Sequence, residues 1–250
     1  NGIDNGRLSF DHVRIPRTNL LNRYGDVAAD GTYTSSIDSP GRRFFTMLGT
    51  LVQGRVSLDG AASWASALGL FIAITYGTQR RQFDGANGEE RVLLDYGKHQ
   101  RRLLPRLATT YAQIFAHDEF LQKFDGVFSG RTDTPEDRED LETLAAALKP
   151  LSTWHALDTL QEAREACGGA GFMFENRLVG LRADLDIYVT FEGDNNVLLQ
   201  LVGKRLLTDF AGQFKGKDAA AMAKFAVEQT AGKVFHSAGL RALGQAVADL

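Results

Sequence analysis

Cysteine is almost missing from this sequence: Cys167 is the one example in 250 residues. No intrachain disulfide can form, so a disulfide scaffold is excluded and a reducing compartment is the simpler setting. Proline is scarce, at five residues, and Asn-x-Ser/Thr acceptor sites are absent. An excess of one charge is lacking too. Lys and Arg number 28 against 31 Asp and Glu, giving a formal net charge of −3 without a long basic run. That argues against nucleic acid as a partner. The five histidines, His12, His99, His117, His155 and His236, never fall at ligand spacing, so no metal site is expected. HExxH, CxxC and GxSxG are absent, and GQFKGKDA has neither the spacing nor the hydroxyl of a phosphate-binding loop. The chain opens with no basic and apolar leader. NGIDNGRLSFDHVRIP looks like mid-domain sequence, so a partial or processed chain is expected.

What is present is a 44% hydrophobic composition, enough for a sizeable core. Residues 60–79, GAASWASALGLFIAITYGTQ, carry no charge and are long enough to span a bilayer. Their glycines, serines and threonines fit better a helix buried among other helices, and no transmembrane segment is expected.

Up to about residue 41 the chain is rich in Gly, Asp, Asn and Ser. Leu8–Phe10 and Val13–Ile15 there look extended. From Phe44 the apolar period becomes helical. A first helix is predicted from Arg43 to Arg81, then a loop, DGANGEE. A second is predicted from Leu93 to Phe124, bent at Pro105, with Leu103, Leu104, Leu107, Tyr111, Ile114, Phe115, Leu121 and Phe124 inward. A third is expected from Pro135, capped by Thr134, to Ala166, with Leu141, Leu144, Leu148, Leu151, His155 and Leu160 inward. A fourth is expected from Val197 to Phe210. The tail, Lys217 to Leu250, is predicted helical with breaks near Gly232 and Gly239. The expected class is all-α, an antiparallel four-helix bundle with a short N-terminal extended segment.

Three segments could carry chemistry. In Tyr188-Val189-Thr190-Phe191-Glu192-Gly193-Asp194-Asn195 an apolar and aromatic run delivers one carboxylate to the start of a helix. Glu192 there is either a general base or part of the helix cap. Cys167-Gly168-Gly169-Ala170-Gly171-Phe172 has more glycine than a helix stop needs, and is either a plain turn or a close ligand approach. Arg80-Arg81-Gln82-Phe83 suits a pyrophosphate, or complements the C-terminal dipole of its helix. Arg55, on an apolar helix, needs an anionic partner.

In order and spacing, five blocks resemble the acyl-CoA dehydrogenase and oxidase superfamily in its oxidase branch: FDHVRIPRTNLL, GRVSLDGAASWASALGLFIAITYGTQRRQF, LLDYGKHQRRLLP, REACGGAGF and TFEGDNNVLLQ. The resemblance covers roughly residues 1–205. It implies that residues 1–43 end a middle β-domain, 44–213 form a flavin- and substrate-binding helical bundle, and 214–250 begin a second C-terminal helical domain. It implies FAD-dependent conversion of acyl-CoA to trans-2-enoyl-CoA, with O2 as acceptor giving H2O2. Glu192 matches the base that removes the α-proton, and its amide matches a donor to the thioester carbonyl. Arg55, Phe191 and Gly193 match substrate positions. Arg80, Phe83, Gly169, Asp194 and Asn196 match FAD-contacting positions, with Arg80 and Phe83 reaching the FAD of a neighbouring subunit in a homodimer.

The sequence departs from the family pattern in places. Asp194 stands where dehydrogenases carry Thr, Asn196 where many oxidases carry Thr, and Glu165 where dehydrogenases often carry Gln. Two alternatives stay open: a dehydrogenase passing electrons to an electron-transfer flavoprotein, and a non-catalytic helical interaction domain. The expected location is the cytoplasm of a bacterium, or the peroxisome for a eukaryotic source. The final Val247-Ala248-Asp249-Leu250 is no peroxisomal signal.

Overall fold

A computed structural model of the chain describes residues 6–85 and 88–212. The helical tail expected over 217–250 lies outside them. The chain divides into two compact units, Asn1–Val202 and Gly203–Leu250. The first is built on three long helices.

Ahead of them stand two short strands, β1 (Asp26–Val27) and β2 (Tyr33–Thr34), paired antiparallel. Leu8–Phe10 and Val13–Ile15, predicted extended, are exposed and form no strand. Among the described residues they have no partner to satisfy their backbone groups.

The predicted first helix is two. α1 (Pro40–Leu48) starts at Ser39, whose side chain accepts from the Arg42 N–H, and Pro40 occupies the first position, where a missing N–H costs nothing. A turn at Gly49, whose N–H bonds Thr46 O at 3.3 Å, separates it from α2 (Leu51–Gln79). The loop predicted after α2 is shorter than expected: β3 (Arg81–Asp84) pairs antiparallel with β4 (Glu90–Val92). α3 (Gly97–Phe128) and α4 (Pro135–Ala166) follow, and the Thr134–Asp137 capping box starts α4. α5 (Gly168–Phe172) and α6 (Leu178–Leu185) are short, and α7 runs Asn195–Gly212.

Contacts fix the directions. Asp59 meets His117 and Gly77 meets His99, so α2 and α3 are antiparallel. Arg102 pairs with Glu162 and Arg106 with Asp158, so α3 and α4 are antiparallel. Lys149 lies near Arg55, while Gly69 lies against Leu160 and Ala163, so α2 and α4 run parallel. A Cβ at Gly69 would stand 2.6 Å from Leu160 Cδ2, so this approach requires glycine.

Close packing explains where the predicted inward stripes differ. In α4 the buried row is Leu141, Ala145, Lys149, Ser152, Ala156, Leu160 and Ala163, while Leu144 and Leu151 face outward. Small residues dominate this row because α2 and α4 approach closely, and where Leu160 stands in it α2 carries Gly69. In α3, Leu103 and Phe120 are buried while Leu104, Tyr111, Phe115 and Leu121 are exposed. That helix is apolar on two faces, and periodicity does not say which one meets α2 and α4. α2 is long and apolar enough to cross a membrane by length and composition, yet half of its apolar window is buried here. The buried face includes Asp59, Ser63 and Ser66.

Candidate active site

The TFEGDN segment sits at the N-terminal end of α2. After α6, a 3-10 turn over Asp186–Val189 leads into residues 190–193. Glu192 has φ 56° and Gly193 φ 105°. Two successive left-handed residues reverse the chain just before α7. Glycine takes that region freely, but a glutamate there is strained by about 1–3 kcal/mol and stays only where its surroundings insist.

Several groups impose this turn. The Arg55 Nε–H donates to Glu192 O at 2.9 Å. Lys149 Nζ donates to Gly193 O at 2.8 Å and to Asn195 Oδ1 at 2.9 Å. Asn195 Nδ2 donates to Thr153 Oγ1 at 3.1 Å. Asp194 caps α7, its Oδ1 accepting from the Asn196 N–H at 2.9 Å and the Val197 N–H at 3.4 Å. Of the two expected FAD positions in this segment, Asp194 serves as the cap of α7, while Asn196 lends the cap its backbone N–H and keeps its side chain exposed.

The Glu192 carboxylate lies against the α2 backbone at Gly54. A Cβ there would stand 2.7 Å from Cδ and 2.8 Å from Oε2, so any larger residue at that point would push the carboxylate out of its seat. Oε2 is buried without a hydrogen-bond partner among the described residues. The Glu192 backbone N–H also has none there. Phe191 stacks obliquely on Tyr188, ring centroids 5.4 Å apart. An acceptor oxygen and a backbone donor left open on one residue are what a base beside a carbonyl-polarising amide needs.

Charge is concentrated beneath the turn. Burial pushes the Arg55 guanidinium below its ordinary value, against the pull of Glu192 and Glu142. Burial raises the Glu142 carboxyl, opposed by Arg55. Lys149, fully withdrawn from solvent, is brought down to about 8 by burial and then by Arg55, while Asp194 and Glu192 hold it up. Sequence reading missed Gly54, Lys149 and Thr153, and saw in Asn195 no more than a candidate helix cap. A lysine in the small-residue row of α4 was the available signal.

The remaining candidates are elsewhere. Arg80 ends α2, with its N–H bonded to Tyr76 O and its carbonyl accepting from Leu93 N–H. Its guanidinium is exposed and makes no hydrogen bond or ion pair among the described residues. Phe83 is 69% exposed at φ 64°, a further left-handed non-glycine residue. Gly169, in α5, follows the C-terminus of α4 and shares this end. The 25 residues of α2 from Arg55 to Arg80 put the two groups about 37 Å apart.

The three glycines of CGGAGF separate by cause. Gly168 has φ 57°, and a Cβ at Gly171 would stand 2.0 Å from Arg164 O, so the turn itself requires both. Gly169 has open space beside it. Two of the histidines are occupied in packing: His117 bonds the buried Asp59 carboxylate, and His155 bonds Thr110 and Thr159. Among the described residues no three His, Cys, Asp or Glu could together hold a metal. Burial lifts the Cys167 thiol to about 11, which keeps it protonated.

Residues 48–207 match the family model for the acyl-CoA oxidase C-alpha1 domain. The chain is 48% identical over 211 residues to a putative peroxisomal acyl-coenzyme A oxidase 3.2 of Arabidopsis thaliana, covering 84% of this chain and 30% of that protein. It is 42% identical over 219 residues to human peroxisomal acyl-coenzyme A oxidase 3, covering 85% of this chain and 31% of that protein. Among solved structures it resembles acyl-CoA oxidase-2 of Caenorhabditis elegans bound with FAD, an ascaroside-CoA and ATP. The TM-score there is 0.70 at 29% identity, over 84% of this chain and 32% of that one. The chain thus spans about a third of the length of its relatives.

The plant and human relatives are eukaryotic and peroxisomal by name, which overturns the expected bacterial cytoplasmic location. A compartment is set by a receptor-read address, and nothing in fold or site chemistry encodes it. With a matching domain model, relatives above 40% identity and the same fold in solved structures, the chain belongs to the acyl-CoA oxidase family.

Proposed function

We propose that this chain is the helical, base-bearing part of a peroxisomal FAD-dependent acyl-CoA oxidase that forms trans-2-enoyl-CoA and H2O2 from acyl-CoA and O2. The observation that carries the reading is the Glu192 carboxylate, wedged against Gly54 with a buried oxygen that nothing in the described chain satisfies.

Glu192 takes the α-proton of the acyl thioester onto its carboxylate, and the C–H electron pair moves to form the α,β double bond. The Glu192 N–H donates to the thioester oxygen, where negative charge gathers as that proton leaves. Arg55 keeps the amide aimed by holding the Glu192 carbonyl. Phe191, stacked on Tyr188, and Gly193 line the approach to the carboxylate. The chemistry that FAD supplies when bound is acceptance of the β-hydrogen with its electron pair, with O2 then taking the electrons as H2O2.

The residues fit that cofactor. The open space beside Gly169 admits a flat group, and the exposed guanidinium of Arg80 suits a pyrophosphate. The exposed ring of Phe83 offers a stacking surface. Because Arg80 stands about 37 Å along α2 from Arg55, with Phe83 just beyond it in β3, the two serve the FAD of a second copy, in a homodimer. The test is flavin absorbance of the full-length protein before and after acyl-CoA, first without O2 and then with it. Bleaching, then recovery with release of peroxide, is expected; an unbleached flavin overturns the reading.

A further inference from the structure

Lys149 is the largest side chain of the described residues that is fully withdrawn from solvent. Its nearest neighbours along the α4 row are Leu141, Ala145, Ser152 and Ala156. A buried ammonium is costly, and an apolar side chain of the same length would fill the space more cheaply. What it gains is two acceptors, both on the segment that presents Glu192.

We propose that Lys149 is a positioning residue: together with Arg55 it holds the Glu192–Gly193 turn in the left-handed form that seats the Glu192 carboxylate against Gly54. The proposal rests on Glu192 being the base. The carbonyls of Glu192 and Gly193 are taken by cations from two different helices, Arg55 on α2 and Lys149 on α4. Two successive peptide planes are thereby fixed, which is what φ values of 56° and 105° require. The grip closes on itself. Lys149 Nζ donates to Asn195 Oδ1, Asn195 Nδ2 donates to Thr153 Oγ1, and the Thr153 hydroxyl donates to the carbonyl of Lys149 itself at 2.7 Å. No member of this ring can swing away without breaking another bond. Arg55, Glu192 and Asp194 are the charged groups facing the ammonium. The neutral amine would still carry two N–H donors for its two acceptors, so the clamp works by geometry and survives deprotonation.

The test uses the full-length flavoprotein and two variants. In Lys149→Met, amide hydrogen exchange of the peptide spanning residues 188–197 should rise about tenfold or more while α2 and α3 exchange as before. In the same variant kcat should fall about 100-fold, with KM for acyl-CoA and flavin content little changed, because the base is displaced and substrate binding is not. Thr153→Val opens the ring without touching the ammonium. It should move exchange at 188–197 and kcat the same way by a smaller factor, and it carries the test if Lys149→Met does not fold.

Unchanged exchange at 188–197 in the folded variants overturns the proposal. So does exchange that rises equally through α2, α3 and α4, the mark of a plain core residue. Glu192→Gln run beside them separates two failures. An inactive Glu192→Gln with a rigid turn in Lys149→Met defeats the clamp alone. An active Glu192→Gln with a loosened turn defeats the base reading alone, and with it the catalytic purpose of the clamp.

Discussion

The two ends of α2 carry candidate site residues under opposite conditions. At the N-terminal end, Glu192 is half-buried, strained and gripped through its neighbours by Arg55 and Lys149. At the C-terminal end, Arg80 and Phe83 are exposed, and the Arg80 guanidinium has no partner among the described residues. A base must be held before its substrate arrives, since misplacement costs rate directly. A cofactor contact can be organised by the cofactor when it binds. On the proposed function, one end of the helix is built by this chain and the other is a surface that the cofactor completes.

The sharpest way to break this contrast is at the base. Glu192→Gln in the full-length protein should slow anaerobic flavin bleaching by acyl-CoA by about 10²–10⁴-fold at unchanged flavin content. Bleaching at the wild-type rate would remove Glu192 from the chemistry. Gly54→Ala comes next. Its methyl would overlap the Glu192 carboxylate, so activity should fall by about 100-fold. Alanine in place of glycine near the start of α2 should meanwhile leave thermal stability level, or raise it by up to about 1 kcal/mol. Activity and melting temperature falling together in proportion would mean general damage instead of a displaced base.

At the exposed end the effects are on cofactor retention. Arg80→Ala should weaken FAD binding while moving stability by under about 1 kcal/mol, and equal flavin content in both proteins would leave Arg80 as a helix-end charge.

A pH series tests the buried cation. Lys149 sits at about 8 in the fold, against an ordinary 10.5. Below about 8 both folded and unfolded chains hold this proton, and the full cost of burying the charge is present. Between about 8 and 10.5 the unfolded chain binds more protons, so the contribution of Lys149 to stability rises with pH. Urea unfolding of wild type beside Lys149→Met, from about pH 7 to 10, should show the difference moving toward wild type; a constant difference would argue that Lys149 is not perturbed. The smallest effect is at Gly169→Ala. Open space surrounds that site, so stability should stay within about 0.5 kcal/mol, and any loss of flavin would locate the cofactor there.

Much of this was legible in the residues themselves. The bounds of α4 follow from a Thr-Pro start and a Gly-Gly stop, both local signals. The helix start at Asp194 or Asn195, the all-helical class and the single carboxylate of TFEGDN are likewise local, and the structure gives the cap to Asp194. The break at Gly49 was not legible, because a glycine inside a helical period is tolerated as often as it interrupts. Nor were the inward faces of α3 and α4: both helices are apolar on more than one side, and which side is buried depends on how closely α2 approaches.

By itself, then, the sequence determined where the three long helices run and which carboxylate stands at the head of a further one, because periods, caps and glycine stops act over a few residues; the short α5 and α6 were not legible. Only the tertiary structure decided that Gly54 is the seat of that carboxylate and that Lys149 and Arg55 hold its turn. Glu192 lies 137 residues from Arg55. A contact over that separation is made by packing three long helices at close range, and no spacing along the chain encodes it.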